Sequence, residues 1–381
     1  MKIAIGGIRG IPARYGGFET SAAETAPRLK QLGHGVSVYC RGKQAAGGNE
    51  YDGIKLVYLT TPASGSLETI CHSVCLALHV FFANRDVEVV HLYNAASSVG
   101  CLLLRLAGIP VVMTIDGVEW NRDKWNWIAR LVWRVLTWLA THSANVIVCD
   151  SNTVRGYFER KYGKEILYIP YGSKQIQGDS NLYKQFSLEH KGYFLFVGRF
   201  VPEKGVDTLI EAHRLSGSSL PLVIIGDNNN DPDYVAALRS TAAGNVHFLG
   251  FRYGAEYESV LAHSRAYVSA SKLEGTSPSL LAAMGAGVCS LVNGIPENRE
   301  TGGQSVLYFD GTAADLALKM ALLSDSPEEV ERYAVAGLDR VREFYDWDAV
   351  TKRYLGAYRA AIGTEPAPVS VPTTANSVED A

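Results

Sequence analysis

Short runs of β-branched and apolar residues alternate along the chain with longer segments whose apolar positions recur at helical spacing. The first series of runs reads KIAIGG, VSVYC, KLVYL, VEVVHLY, VVMTID, NVIVCD and ILYIP, each followed by turn residues. Strands that are apolar throughout, rather than alternating, suit a parallel sheet covered on both faces. The intervening stretches from Glu19 to Leu32 and from Ser97 to Leu106 have helical length and periodicity, so this half predicts a Rossmann-like domain.

A second series follows: YFLFVGR, LPLVIIGD, NVHFLG, RAYVSAS and VCSLV, again with helical segments between. It predicts a second doubly wound α/β domain. The polar stretch from Gly172 to Lys191 has little apolar periodicity and reads as the connection between the two. From Ser326 to Ile362 the pattern is helical, with Tyr345, Trp347, Val350, Tyr354 and Tyr358 near one face, as expected of a helix packing across both domains. The final GTEPAPVSVPTTANSVEDA has no apolar face to bury and reads as a disordered tail. The expected organisation is therefore 1–172, 173–345, a crossover helix at 346–363 and a tail at 364–381. A chain of 381 residues is long for one core, which agrees with two domains and a cleft between them.

Composition narrows the function. A formal net charge of -3 gives no global attraction to nucleic acid, so no nucleic-acid partner is expected. The six cysteines lie mostly inside apolar runs, without the short paired spacings of a zinc site, and read as reduced, buried thiols. MKIAIGGIRG turns glycine-rich too soon for a signal peptide, and no apolar run is long enough to span a bilayer. The expected location is the cytoplasm.

Three loops carry candidate chemistry. GGIRGIPARYGGFET joins a strand to a helix with glycines at 6, 7, 10, 16 and 17, and with Arg9 and Arg14. Open α/β sheets bind ligands at such a place, although the spacing is not that of a dinucleotide fingerprint. FVGRFVPEKG sets Arg199 and Lys204 after a buried strand, where two cations suit a diphosphate; a solvated turn is the plain alternative. SKLEGTSPSLLAAMGAG puts Glu274 before Gly275, Thr276, Ser277, Ser279 and Leu280 at a helix start, with Pro278 suited to the first turn. Amides and hydroxyls there can hold a phosphate, and Glu274 can accept hydrogen bonds from sugar hydroxyls.

With these motifs in view, residues 1 to about 360 resemble a GT-B glycosyltransferase of the large retaining family 4. More narrowly they resemble a bacterial rhamnosyltransferase-type branch whose first loop reads like GIRGIPARYGGFE. The resemblance implies two Rossmann-like domains facing across a cleft. It implies Arg199 and Lys204 on the donor diphosphate, Glu274 on the donor sugar and the Thr276 to Leu280 turn on phosphates. The acceptor then lies in the first domain. There TIDGVEWNRDKW resembles the branch's Asp-Gly-x-Glu-Trp pattern and makes Asp116 the leading catalytic or acceptor-orienting carboxylate. Glu19 is the second candidate, with Gly16, Gly17, Arg9 and Arg14 forming its loop; either carboxylate alternatively caps a helix or pairs with Arg9, Arg14 or Arg122. One departure stands out: eight positions after Glu274, where the family usually carries a second glutamate on the nucleotide ribose, this chain has Ala282.

The resemblance further implies transfer with retention of anomeric configuration, the leaving phosphate assisting attack on the same face. The departing diphosphate would be stabilised by Arg199, Lys204 and a helix dipole, so no cofactor and no metal are expected. The D-x-D strings at Asp231 to Asp233 and Asp346 to Asp348 read as a turn and a helix start. Five of the six tryptophans fall between Trp120 and Trp138 among Arg122, Lys124, Arg130 and Arg134. Such a helix suits either a core using Trp as bulk or a membrane interface; a lipid-linked acceptor favours the second, through residues 120–138. The leading expectation is a cytoplasmic, peripheral transferase moving a sugar, L-rhamnose from dTDP-rhamnose, onto a saccharide or lipid-linked acceptor for surface polysaccharide. Two alternatives stay open: a nucleotide-binding scaffold impaired by Ala282, and a nucleotide-sugar epimerase.

Overall fold

The computed structural model describes residues 1–13, 16–42, 48–61, 67–121, 125–228, 231–242 and 244–367. Arg14, Arg122 and Lys124, named above, lie outside these residues, as does most of the proposed tail. Among the described residues the chain divides into two compact units, with Gly172–Asp346 forming the second and the helix that starts at Trp347 returning to the first.

In the first unit the elements run β1 (Lys2–Gly6), α1 (Gly17–Gln31), β2 (Gly35–Arg41), β3 (Glu50–Tyr51), β4 (Ile54–Leu59), α2 (Glu68–Ala83), β5 (Val89–Tyr93), α3 (Ser98–Leu106), β6 (Val111–Ile115), α4 (Trp127–Ser143), β7 (Val146–Cys149), α5 (Asn152–Tyr162) and β8 (Leu167–Tyr168). The strands form one sheet in the order β3-β4-β2-β1-β5-β6-β7-β8. All pairs are parallel except the short β3–β4 pair. The strand order reverses between β1 and β5. Because parallel crossovers are right-handed, α1 takes one face of the sheet and α2, α3 and α4 the other. Buried side chains of β1, β5, β6 and β7 make the central core of this unit.

The second unit contains β9 (Phe194–Val197), α6 (Val206–Ser216), β10 (Leu222–Ile225), α7 (Pro232–Thr241), β11 (Val246–Gly250), α8 (Gly254–Ala262), β12 (Ala266–Ser269), α9 (Pro278–Gly285), β13 (Cys289–Asn293), α10 (Pro296–Gly302), β14 (Leu307–Phe309), α11 (Ala313–Asp325) and α12 (Pro327–Phe344). Its parallel sheet has the order β11-β10-β9-β12-β13-β14 and reverses between β9 and β12. The last helix, α13 (Trp347–Ile362), belongs to the first unit.

Two stretches take a more definite form in the structure. The polar stretch after Gly172, which reads as the connection, is a packed part of the second unit. Ile176 and Tyr183 are buried, the Ser173 N–H donates to the Tyr345 carbonyl, and the Ser259 hydroxyl donates to the Asp179 carbonyl. A few apolar anchors and satisfied backbone groups suffice to bury a segment that has no periodicity. The C-terminal pattern is two helices rather than one. It breaks at Tyr345 and Asp346: Tyr345 is buried in the second unit, whereas Trp347, Val350, Tyr354 and Tyr358 are buried in the first. The aromatic spacing runs through the break because both helices bury aromatics.

On the α1 side of the first sheet, α13 brings Tyr354 and Tyr358 against His91 of β5. His91 Nδ1 pairs with the Tyr358 hydroxyl at 2.9 Å and Nε2 with the Thr114 hydroxyl at 2.8 Å, so both ring nitrogens are satisfied in a buried site. Burial lowers the His91 pKa to about 3 and so keeps the ring neutral.

Candidate active site

In an open α/β sheet the crevice for a ligand lies beyond the carboxyl ends of the strands where their order reverses. In the second unit that point is flanked by the loops after β9 and β12. Arg199 and Lys204 stand on the first loop and Glu274 on the second, so the topology brings together residues 70 apart in sequence. The Lys204 ammonium donates to Glu274 Oε1 at 2.5 Å, and both side chains are largely covered. Arg199 is exposed and makes no ion pair among the described residues.

Backbone contacts fix the two loops against each other. The Lys272 N–H donates to the Glu203 carbonyl at 2.8 Å, and the Ser271 hydroxyl donates to the same oxygen. Gly205, at a positive φ of 62°, lies so close to the Ala270 carbonyl that a Cβ would stand 2.4 Å from its oxygen. Only glycine meets both demands. From the third strand end, the Asn293 side-chain amide donates to the Ser271 carbonyl at 3.1 Å.

Helix α9 starts at this edge. Ser277 is its cap, with its hydroxyl accepting the Leu280 N–H at 3.5 Å, and Pro278 occupies the first helical position. Thr276, Ser277 and Leu280 are buried, while Gly275 and Ser279 are half-buried. Ala282 sits half-buried one turn further on. A carboxylate that the sequence reading missed stands nearby: Glu297, in the first turn of α10. Burial pushes its pKa up, and the charges of Glu300 and Glu274 push in the same direction. Its only sequence signal is the GIPE string after an apolar strand.

In the first unit the order reverses between β1 and β5, and residues 7–13, which follow β1, lie at that point. Glu19 is 6% exposed and directed inward: its Oε1 accepts the Arg9 N–H at 2.8 Å. The Arg41 N–H donates to the Arg9 carbonyl at 2.8 Å, which holds the loop from the β2 side. Gly17 packs against the Tyr171 ring, where a Cβ would come within 2.8 Å. Gly16 is half-buried beside Glu19, and the Arg9 side chain is exposed. Glu19 thus ties the loop to α1 through the Arg9 backbone N–H.

Asp116 follows β6 and is half-buried. Asp150 follows β7 in the same way, and because Ile115 pairs with Cys149 across the two strands, these aspartates occupy adjacent places on the sheet edge. The buried Tyr171 phenol beside them has its pKa raised well above the usual value, by burial first and then by the charges of Asp150 and Asp116. Asp150 and Tyr171 were not singled out from sequence, although NVIVCD and VVMTID both end an apolar strand on Asp.

One aspartate of each D-x-D string has a partner within the protein. Asp231 caps α7 by accepting the Tyr234 N–H, and Asp348 accepts from Arg28 Nε at 2.8 Å. The tryptophans divide into three kinds. Trp120 is buried beneath the Lys161 ammonium, Trp125 and Trp133 contact each other, and Trp127 and Trp138 are 75% and 51% exposed on α4.

Comparison with known proteins agrees with the fold. Residues 180–339 match the model described as glycosyl transferases group 1, and residues 15–172 match glycosyltransferase family 4. The chain is 27% identical over 185 residues to O-antigen chain mannosyltransferase B of Escherichia coli, a match spanning 46% of this chain and 48% of that protein. It is 24% identical to alpha-maltose-1-phosphate synthase of Mycobacterium tuberculosis over 91% of this chain and 96% of the other. Its fold matches sucrose-phosphate synthase from Thermosynechococcus elongatus with a TM-score of 0.82 at 17% identity, over 96% of this chain and all of that one. The two matched segments take in both α/β units, and the chain is a glycosyltransferase with the two-domain GT-B fold of the group 1/family 4 type.

Proposed function

We propose that the protein transfers a sugar from a nucleotide diphosphate donor, held at the β9/β12 edge of the second unit, to a saccharide or lipid-linked acceptor at the edge of the first. The observation that carries this reading is the Lys204–Glu274 pair across the strand reversal, with the exposed Arg199 on the same loop as Lys204. In the proposed complex Arg199 and Lys204 engage the diphosphate, the Thr276 to Leu280 turn approaches its phosphates, and Glu274 turns to sugar hydroxyls. Charge developing on the departing diphosphate is met by these cations, with no metal needed in the step. Asp116 orients the acceptor or takes its proton, and the product keeps its anomeric configuration.

dTDP-rhamnose is the donor proposed from the first-loop resemblance, with surface polysaccharide as the product. The proposed location is the cytoplasmic face of the cell membrane, supported by the exposed Trp127 and Trp138 within 120–138. Ala282 favours a second reading, a nucleotide-binding scaffold without transfer. Incubating the protein with dTDP-rhamnose, UDP-glucose, UDP-N-acetylglucosamine or GDP-mannose and lipid-linked acceptors separates the two: retained sugar transfer excludes the scaffold. Free epimerised sugar without an acceptor would instead indicate an epimerase.

A further inference from the structure

Large apolar side chains are exposed unevenly over the molecule. Among the described residues, 12 of the 21 exposed large hydrophobics lie on α2, α3 and α4. Phe82 of α2 is 66% exposed, Leu106 of α3 is 77% exposed and Trp127 of α4 is 75% exposed, with Phe81, Leu131 and Trp138 beside them. These helices share one face of the first sheet, and α3 packs against both α2 and α4. The exposed apolar positions therefore form one broad surface rather than three separate patches. Soluble proteins rarely leave such a surface uncovered.

Its charges have one sign. Between Thr69 and Ala83, Ser98 and Leu106, and Trp127 and Ser143 there is no Asp or Glu, while Arg105, Arg130 and Arg134 lie among the apolar residues and Arg85 follows α2. Of the acids flanking α2, Glu68 pairs with Arg41 and Asp86 with Lys2. None of the described helices is long and apolar enough to cross a membrane. An apolar, Trp-bearing, cationic face suits the headgroup boundary of an anionic bilayer, where rings reach the acyl edge and arginines meet lipid charge. A second copy fits less well, because a symmetric interface would lay a uniformly cationic face upon itself.

We infer that the α2–α3–α4 face docks the first unit on an anionic lipid surface. This deepens the peripheral location proposed above, replacing one Trp-rich helix with a three-helix face, and is tested without donor or acceptor. The full-length protein is sedimented with vesicles containing roughly one third phosphatidylglycerol in phosphatidylcholine, and with phosphatidylcholine alone. Wild type is expected to bind the anionic vesicles, with Phe82→Ser/Leu106→Ser and Trp127→Ser/Leu131→Ser each weakening partition by about tenfold or more. Arg134→Glu weakens it at low salt and by less at high salt. Far-ultraviolet circular dichroism and nucleotide-sugar titration of the same variants verify that they remain folded. A protein that binds vesicles but no donor would keep this inference and remove the transferase reading.

Failure of wild type to bind anionic vesicles would overturn the inference. So would wild-type partition by Phe82→Ser/Leu106→Ser, which would reduce the surface to α4 alone. A lipid-free dimer dissolved by those substitutions would assign the face to a second copy.

Discussion

Glu19 in the first unit and Glu274 in the second differ in the partners they take. Glu19 in the first unit is buried and accepts the Arg9 N–H, so it holds a loop in shape. Glu274 in the second unit pairs with the Lys204 side chain, a contact between two side chains that a ligand with its own charges can replace. A carboxylate committed to a backbone amide is part of the scaffold, whereas one paired to a lysine at a crevice is available for exchange. On this reading the donor edge is built from side chains that change partners, and the first unit's edge from a loop held by its backbone.

The largest expected effect breaks the exchangeable pair. Lys204→Ala leaves Glu274 without its partner and removes a cation from the diphosphate, so kcat/KM should fall by about a hundredfold or more. Donor affinity in calorimetry should fall with it; unchanged affinity would place the diphosphate elsewhere. Asp116→Asn is next, with transfer reduced roughly 100-fold or more while donor affinity changes little. Equal loss of binding and transfer would remove Asp116 from the acceptor side.

Glu19 sharpens the comparison. Glu19→Ala leaves the Arg9 N–H without its acceptor and should cost about 1–3 kcal/mol of stability in urea unfolding. Glu19→Gln retains an acceptor oxygen and should restore most of both stability and activity. A Gln variant that is stable but as inactive as Ala would make Glu19 catalytic instead.

Acid provides a contrast of a different kind. Burial lowers the pKa of His91 to about 3 and that of His72 to about 4, both in the first unit. The unfolded chain takes up these protons below the ordinary histidine value of about 6.5, while the folded chain does not. Stability is therefore fully present above that pH and falls as the pH drops towards the lowered values, by about 2 kcal/mol per histidine between pH 7 and pH 5. Urea midpoints at the two pH values test this, and replacing His91 with Gln should flatten the slope. The smallest expected effect is that of a chelator: EDTA should leave transfer unchanged if the cations alone meet the leaving group.

Most of the fold was legible because buried parallel strands are apolar from end to end, so KIAIGG or LPLVIIGD announces itself locally. The elements that escaped were short: β3 has two residues and β14 three, too few to set a period. At the candidate site, the cations and Glu274 were readable as motifs, but their pairing was not. It depends on β9 and β12 being neighbours, a fact of topology that no local pattern contains. Asp150 and Tyr171 were missed for the same reason, since Asp150 comes beside Asp116 through the β6–β7 register and Tyr171 follows the neighbouring β8.

The most direct test is calorimetric titration of the full chain with dTDP-rhamnose, UDP-glucose, UDP-N-acetylglucosamine and GDP-mannose, repeated for Arg199→Ala and Lys204→Ala. The account predicts saturable binding of one donor, strongly weakened in both variants. Binding of none of the four, or binding that neither substitution affects, would contradict the donor site at the β9/β12 edge.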